Sequence, residues 1–574
     1  LKNVRLALIS AALVVVTSAC TDPTLCGDRV VWAPGSAKLG LAKNDQLFVC
    51  GDPAHAAWQD VPPRQSAAFM HSYLESKGYL EPDIKIDYDT NKVTVDAGKR
   101  AVITAILTEG GPSGWDSGPL ETNLDQPLQK TTLDTIEADA LGILKGMGYA
   151  CATLKLEAHT DGRVVLKLNP GSVKTFMDPV NSGPFPVSEG VLRRYEPFAS
   201  GEQFDVRETV IAAHRMEAES VSSATYTTTC DQDNFQKLER NLSFNAPRSW
   251  EIGIGASTEE YPLSFIRWKT NRLWSSASTF QAELFASNKR QELTFELKYY
   301  YSKTQPRLYL RPVLSITHQN ENQYETSGPK VSLYQGRMID TGRWTLSPEV
   351  GFSVSRLRYS NSVYSRTGPI FTPEVNLNAH THDFELYQGD PRRGYNGTLQ
   401  YSYLPGSEAS SIGVHRFLLQ GSYLVNYRNY VQPRWILGAR YTLGSMFTTD
   451  GTAPDLAKTP PDWFFLSGGD TNLRGFSRNS LPSEQAGSGS VATLGLESRW
   501  PGLFSFPLDP LIFTDVGYLG SGNGQFNRDL IISPGFGGRS ATPLGTVRAT
   551  VARGYIPTQN VYRTQFFISF GTEF

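Results

Sequence analysis

Beyond Trp250 the chain alternates. In Glu292–Tyr299, Leu293, Phe295, Leu297 and Tyr299 take one face, and Glu292, Thr294, Glu296 and Lys298 take the other. Arg307–Thr317 repeats the pattern, with Leu308, Leu310, Leu314 and Ile316 set against Arg307, Tyr309, Arg311 and Ser315. A period of two belongs to strands. Polar residues inward and apolar residues outward, strand after strand, predict an all-β transmembrane barrel. In lipid only closure satisfies the backbone of such strands. Roughly 325 residues at roughly 20 per strand and loop give about 16 antiparallel strands.

Composition narrows the alternatives. Charged residues are 19% of the chain, below the roughly 25% of soluble domains. The 26 Tyr suit interfacial girdles. Lys+Arg (54) balances Asp+Glu (56), so no bulk charge points to nucleic acid. After the N-terminus no apolar run reaches the roughly 20 residues of a membrane helix. A helical membrane protein is excluded and a barrel is not.

Residues 1–19 read as an export signal: Lys2 and Arg5, an apolar run from Leu6 to Val16, then Thr17-Ser18-Ala19. Cys20 follows and is a possible lipidation site, although Thr17 stands where such sites usually carry an aliphatic residue. Plain cleavage near Ala19 is the alternative. An exported chain sits where disulfides persist. The other four cysteines allow three connectivities, of which the sequence-order pairing is Cys26–Cys50 with Cys151–Cys230. No CxxC pair with a nearby His supports a metal site.

Between signal and barrel a unit of about 75 residues recurs, bounded at 20–99, 100–171 and 172–247, with the barrel at 248–574. The first holds a helix over Pro63–Lys77 and strands over Asp83–Asp89 and Lys92–Ala97. In the second a strand over Ala101–Gly110 precedes a helix over Thr131–Met147 and strands over Ala152–His159 and Arg163–Asn169. The third has a strand over Val173–Val180, helices over Ser188–Tyr195 and Val206–Glu219, and strands over Ser222–Cys230 and Leu238–Phe244. Small open-edged units of this kind suit either strand addition by extended segments or service as spacers.

One irregular stretch, Phe447–Ser490, interrupts the alternation and carries Gly468-Gly469-Asp470-Thr471-Asn472-Leu473-Arg474-Gly475-Phe476. Glycines allow close backbone approach, and a buried guanidinium requires a fixed carboxylate. Strand period places Glu497 on one face with Thr493, Gly495 and Arg499, and Asp515 on one with Phe513 and Gly517. Leu494, Leu496, Ile512 and Val516 fall on the opposite, lipid-facing side.

These pieces together resemble the BamA/TamA family of outer-membrane assembly proteins. The stretches that carry the resemblance are Gly468-Gly469 with Leu473-Arg474-Gly475-Phe476, Gly495–Pro501 around Glu497, Phe513-Thr514-Asp515-Val516-Gly517, Gly535-Phe536-Gly537-Gly538-Arg539 with Pro543 and Gly545, and the final strand Phe566–Phe574 with Gly571. The family implies α+β periplasmic POTRA repeats ahead of a 16-stranded barrel, and three units look most like TamA. It implies that Arg474, folded back into the lumen, meets Asp515 and Glu497. It also implies a lateral seam between the first strand, with Gly253 and Gly255, and the last, with Gly571 and Phe574. The implied function is insertion or translocation of outer-membrane and autotransporter proteins. The implied partners are those unfolded clients, outer-membrane lipid, and a TamB-like inner-membrane-anchored protein at the first unit. A two-partner-type secretion pore and a passive porin with periplasmic binding domains are the other classes. His380 and His382 lack a nameable third ligand and read as polar wall or loop. No serine elbow or other catalytic set emerges, so neither enzyme activity nor a cofactor is expected.

Overall fold

The computed structural model describes residues 26–570 apart from 37, 53, 55–60, 183–185, 220, 232–233, 245, 256, 361–364, 388–389, 407–409, 411, 428–433, 456–458, 482–486, 505–507, 527–529 and 543–544. Cys20, Pro543, Gly571 and Phe574 lie outside the described residues. The chain divides into two compact units, one of Leu1–Ile143 with Ala152–Pro170 and one of Leu144–Cys151 with Gly171–Phe574.

The first unit holds two small mixed sheets. β1 (Val30–Trp32), α1 (Lys43–Cys50), α2 (Pro63–Ser76), β2 (Asp83–Asp87) and β3 (Lys92–Asp96) form one layer pair, in strand order β1-β3-β2. β4 (Ala105–Glu109), α3 (Lys130–Gly146), β5 (Thr153–Ala158) and β6 (Arg163–Asn169) repeat it in order β4-β6-β5. In each sheet the centre strand pairs parallel on one side and antiparallel on the other. Cores form where helical spacing meets strand alternation. Ile136, Ala140 and Leu144 lie on one buried stripe of α3, and Val164 and Leu166 are buried from β6. The Cys26–Cys50 disulfide ties the start of the first layer pair to the end of α1.

In the second unit, β7 (Val180–Ser182), α4 (Glu189–Arg193), α5 (Val206–Ala218), β8 (Ser223–Asp231) and β9 (Asn234–Ser243) give the same topology a third time, β7-β9-β8. The Cys151–Cys230 disulfide joins β8 to the segment that precedes this sheet.

Two expected strands are shorter than the sequence suggests. Within Ala101–Gly110 only Ala105–Glu109 is sheet, because Val102 bridges Pro127 instead. Within Val173–Val180 only Val180 enters β7, because Thr175 bridges Gln203. Pro179, which has no N–H to give a ladder, stands just before the short strand.

The remainder is one antiparallel sheet. Its strands are β10 (Arg248–Gly255), β11 (Leu263–Leu273), β12 (Ser278–Ala286), β13 (Arg290–Tyr300), β14 (Leu308–Asn320), β15 (Glu325–Arg337), β16 (Ile339–Thr341), β17 (Trp344–Ser360) and β18 (Ser365–Thr381). After the short α6 (His382–Leu386) come β19 (Gly394–Leu404), β20 (Val414–Asn426), β21 (Ile436–Thr448), β22 (Ser490–Arg499), β23 (Asp509–Gly520), β24 (Leu530–Thr542), β25 (Gly545–Ile556) and β26 (Val561–Phe570). The strands follow one another around the sheet in sequence order from β10 to β26. β15 and β16 are separated by Met338 alone and both pair with β17, so the 17 strands make 16 staves. Outward positions such as Leu494, Leu496 and Ile512 are exposed, while Glu497, Phe513 and Asp515 are buried within.

Candidate functional site: an internal loop and a seam

The long loop between β21 and β22 enters the barrel and brings its own apolar cluster. Trp463, Phe464, Phe465, Leu473, Phe476 and Leu481 pack against Met446, Val491, Leu519, Ile531 and Ile556 of the wall. Burial of this surface holds the loop inside.

Arg474, next in the chain to Leu473 of that cluster, has 0% exposure. Its Nε donates to Asp515 Oδ2 at 2.9 Å and its Nη2 to Asp515 Oδ1 at 2.8 Å, a bidentate fork. Its backbone N–H also donates to Asp515 Oδ2, at 3.0 Å, and its Nη1 donates to Glu497 Oε2 at 2.5 Å. Glu497 is shared: Arg548 Nη2 donates to Oε2 and Arg499 Nε to Oε1, both at 2.7 Å. Burying these charges is tolerable only because each carboxylate is bonded on several sides.

The glycines around the site are there for space. A Cβ at Gly495 would stand 2.7 Å from Asp515 Oδ1, and one at Gly517 2.9 Å from the Leu473 methyls. At Gly554 of β25 it would meet the Phe476 ring at 2.3 Å, and at Gly475 it would meet the Gly554 backbone at 2.2 Å. Gly468 and Gly469 turn the chain at φ of 103° and 116°. Gly537 lies against the Ala549 carbonyl, and Arg539 reaches Asp390 beyond the end of β18 at 2.7 Å.

Sequence reasoning did not single out a second group of charges. Arg478, four positions after Arg474, pairs with Glu260 at 3.0 Å and with Glu321 at 3.1 Å. Glu259 Oε2 accepts from the Asp470 N–H at 3.2 Å, and a Cβ at Gly469 would stand 3.1 Å from the same oxygen. The available signal was an acid pair directly after the first strand and a second arginine in the motif loop.

A third group fixes the last small sheet to the barrel rim. Arg215 of α5 bonds Asp340 at 3.0 Å and Glu385 of α6 at 2.6 Å. Arg194 stacks 3.4 Å from the Tyr300 ring centroid and donates to the carbonyls of Ser276 and Pro306. His382 lies 3.5 Å from Asp340, and His380 lies 3.2 Å from Glu385. Among the described residues no three His, Cys, Asp or Glu side chains gather to hold a metal.

The first and last strands, β10 and β26, face each other across a junction. Among the described residues β10 pairs only with β11, and β26 only with β25. The backbone bond found between the two ends runs from the Thr258 N–H, just beyond β10, to the Ile568 carbonyl at 3.2 Å. Trp250, Ile252 and Ile254 along β10 are 70%, 72% and 82% exposed. In β10, a Cβ at Gly253 would overlap the Phe265 ring, while Gly255 sits beside Leu263.

Fold and site thus define a transmembrane β-barrel preceded by small α/β units and braced by an internal arginine loop. A family profile described as the Omp85 superfamily domain matches residues 275–574, more than half of the chain. The chain belongs to the Omp85 superfamily. It is an outer-membrane barrel with periplasmic POTRA-like units. Among solved structures it is similar to BamA from Haemophilus ducreyi lacking POTRA domains 1–3 (14% identity, TM-score 0.50, covering 83% of this chain and 100% of that one). It also matches CdiB from Acinetobacter baumannii (11%, TM-score 0.45, 82% and 90%) and CdiB from Escherichia coli (13%, TM-score 0.44, 88% and 96%). The rim that meets the third unit is therefore periplasmic, and the loop joining β10 to β11 is extracellular.

Proposed function

We propose that this protein is an assembly factor of the TamA-like kind, aiding folding and insertion of outer-membrane β-barrel and autotransporter clients at the seam between β10 and β26. The observation that carries the reading is the junction between the first and last strands. Among the described residues β10 is laddered only to β11 and β26 only to β25, and the two meet through the Thr258–Ile568 loop contact. An unpaired edge is a template for an incoming strand. Glycines at 253 and 255 weaken the first strand and ease its displacement.

In this reading Arg474, Asp515 and Glu497 brace the wall beside the seam and do no chemistry. Residues 20–247 act as POTRA units that receive clients. The edge strand β2 of the first, followed by the exposed Tyr88, offers a docking surface for a TamB-like partner. The filled lumen argues against a passive porin.

Depletion of the protein followed by profiling of the outer membrane tests the reading. Loss of many barrels and autotransporters is expected. Loss of a single secreted protein would overturn it in favour of a two-partner secretion pore.

A further inference from the structure

The loop that carries Arg474 grips both sides of the seam. On the C-terminal side Arg474 holds β23 and β22 through Asp515 and Glu497, and Phe476 covers Gly554 of β25. On the N-terminal side Glu259 caps the Asp470 N–H and Glu260 pairs with Arg478. Glu260 is itself fixed by the Ser287 hydroxyl, which donates to Oε1 at 2.7 Å. Both acids lie in the loop that directly follows β10. The two strands that bound the seam are thus joined from inside, through one short stretch of chain.

We propose that residues 470–478 form a strap across the seam, with Arg478 and Glu260 as the positioning residues that limit how far β10 can leave β26. This rests on the seam being the working site. A guanidinium held by two carboxylates is a firm but reversible tie. Its charge-assisted bonds are directional, yet the pair is partly exposed and can exchange with water. A client strand entering between β10 and β26 must stretch or release this tie, whereas the fully buried Arg474 end stays anchored.

The test is a distance measurement across the seam in the purified full chain without client. Spin labels are placed on the lipid-facing residues Ile254→Cys and Phe566→Cys, with Cys20→Ser and the disulfides intact. Arg478→Ala and, separately, Glu260→Ala are expected to at least double the width of the distance distribution. Glu260→Ala serves as the second variant if Arg478→Ala folds poorly, with the heat-modifiable gel shift reporting folding. Unchanged distributions in folded Glu260→Ala would overturn the strap, whatever the clients do. Broadened distributions with normal client assembly would support the strap and count against the insertion reading instead.

Discussion

Phe513 lies beneath the guanidinium of Arg474, whose Cζ stands 3.3 Å from the ring centroid. The ring occupies space left by Gly535 of the next strand, where a Cβ would come within 2.3 Å of it. The loop motif, the Phe-x-Asp-x-Gly strand and the Gly-x-Gly-x-Arg strand thus meet at one stack. Gly535→Ala should push Phe513 against Arg474 and destabilise the barrel by about 1–3 kcal/mol, the usual overpacking range. A lowered unfolding midpoint in urea checks this, and an unchanged midpoint would show that the stack has slack.

Asp515 takes three of the four hydrogen bonds that Arg474 makes to the wall acids. Asp515→Ala should leave the buried cation under-satisfied at a cost of about 3–5 kcal/mol. The loop should then become cleavable by externally added protease while the barrel still migrates as folded. Equal protease resistance of variant and parent would refute the lock.

Arg215 is the corresponding anchor at the periplasmic rim. Burial alone would raise the Glu385 carboxyl, but the Arg215 and His380 contacts outweigh it and pull it down to about 2. Arg215→Ala should speed amide exchange across α5 and α6 together, since it frees both partners. Arg215→Lys should not restore protection, because an ammonium cannot reproduce the planar fork that spans Asp340 and Glu385.

Glu259 gives the extracellular tie a pH dependence. Burial pushes its carboxyl up to about 7 from the ordinary 4.5, and the Asp470 carboxylate adds to this. The Asp470 and Arg478 N–H groups and the Arg478 guanidinium oppose it, and Glu260 stands next in the chain. A carboxyl raised on folding contributes stability that is present below about 4.5 and lost as pH climbs through about 7. Amide protection of residues 470–478, corrected for intrinsic rates, should therefore fall between pH 5.5 and 8. Glu259→Gln should flatten that profile, and a slope that persists in the variant would remove Glu259 as its cause.

Period-two alternation made the barrel legible because lipid and lumen impose opposite demands on successive residues, as Leu496 and Glu497 show. The loop site was legible through its motifs, since the contacts of Arg474 with Asp515 and Glu497 join residues whose faces follow from strand period. The Arg478–Glu260 tie was not, because its partners are 218 positions apart and neither lies in a periodic segment. The Arg215 anchor was hidden for a similar reason: on α5 it reads as an ordinary solvated helix charge. The short strands β4 and β7 were overestimated because the residues before them bond to the segments ahead of the long helices, a tertiary pairing that local pattern does not encode.

The central claim is that β10 and β26 must part for the protein to work. Thr258→Cys with Ile568→Cys staples the extracellular end of the junction, where the Thr258 N–H already meets the Ile568 carbonyl. Client assembly is measured in oxidised and reduced membranes, with each single-cysteine variant as control. The account predicts a folded barrel that assembles no clients when oxidised and regains activity on reduction. Full activity of the crosslinked form would contradict it.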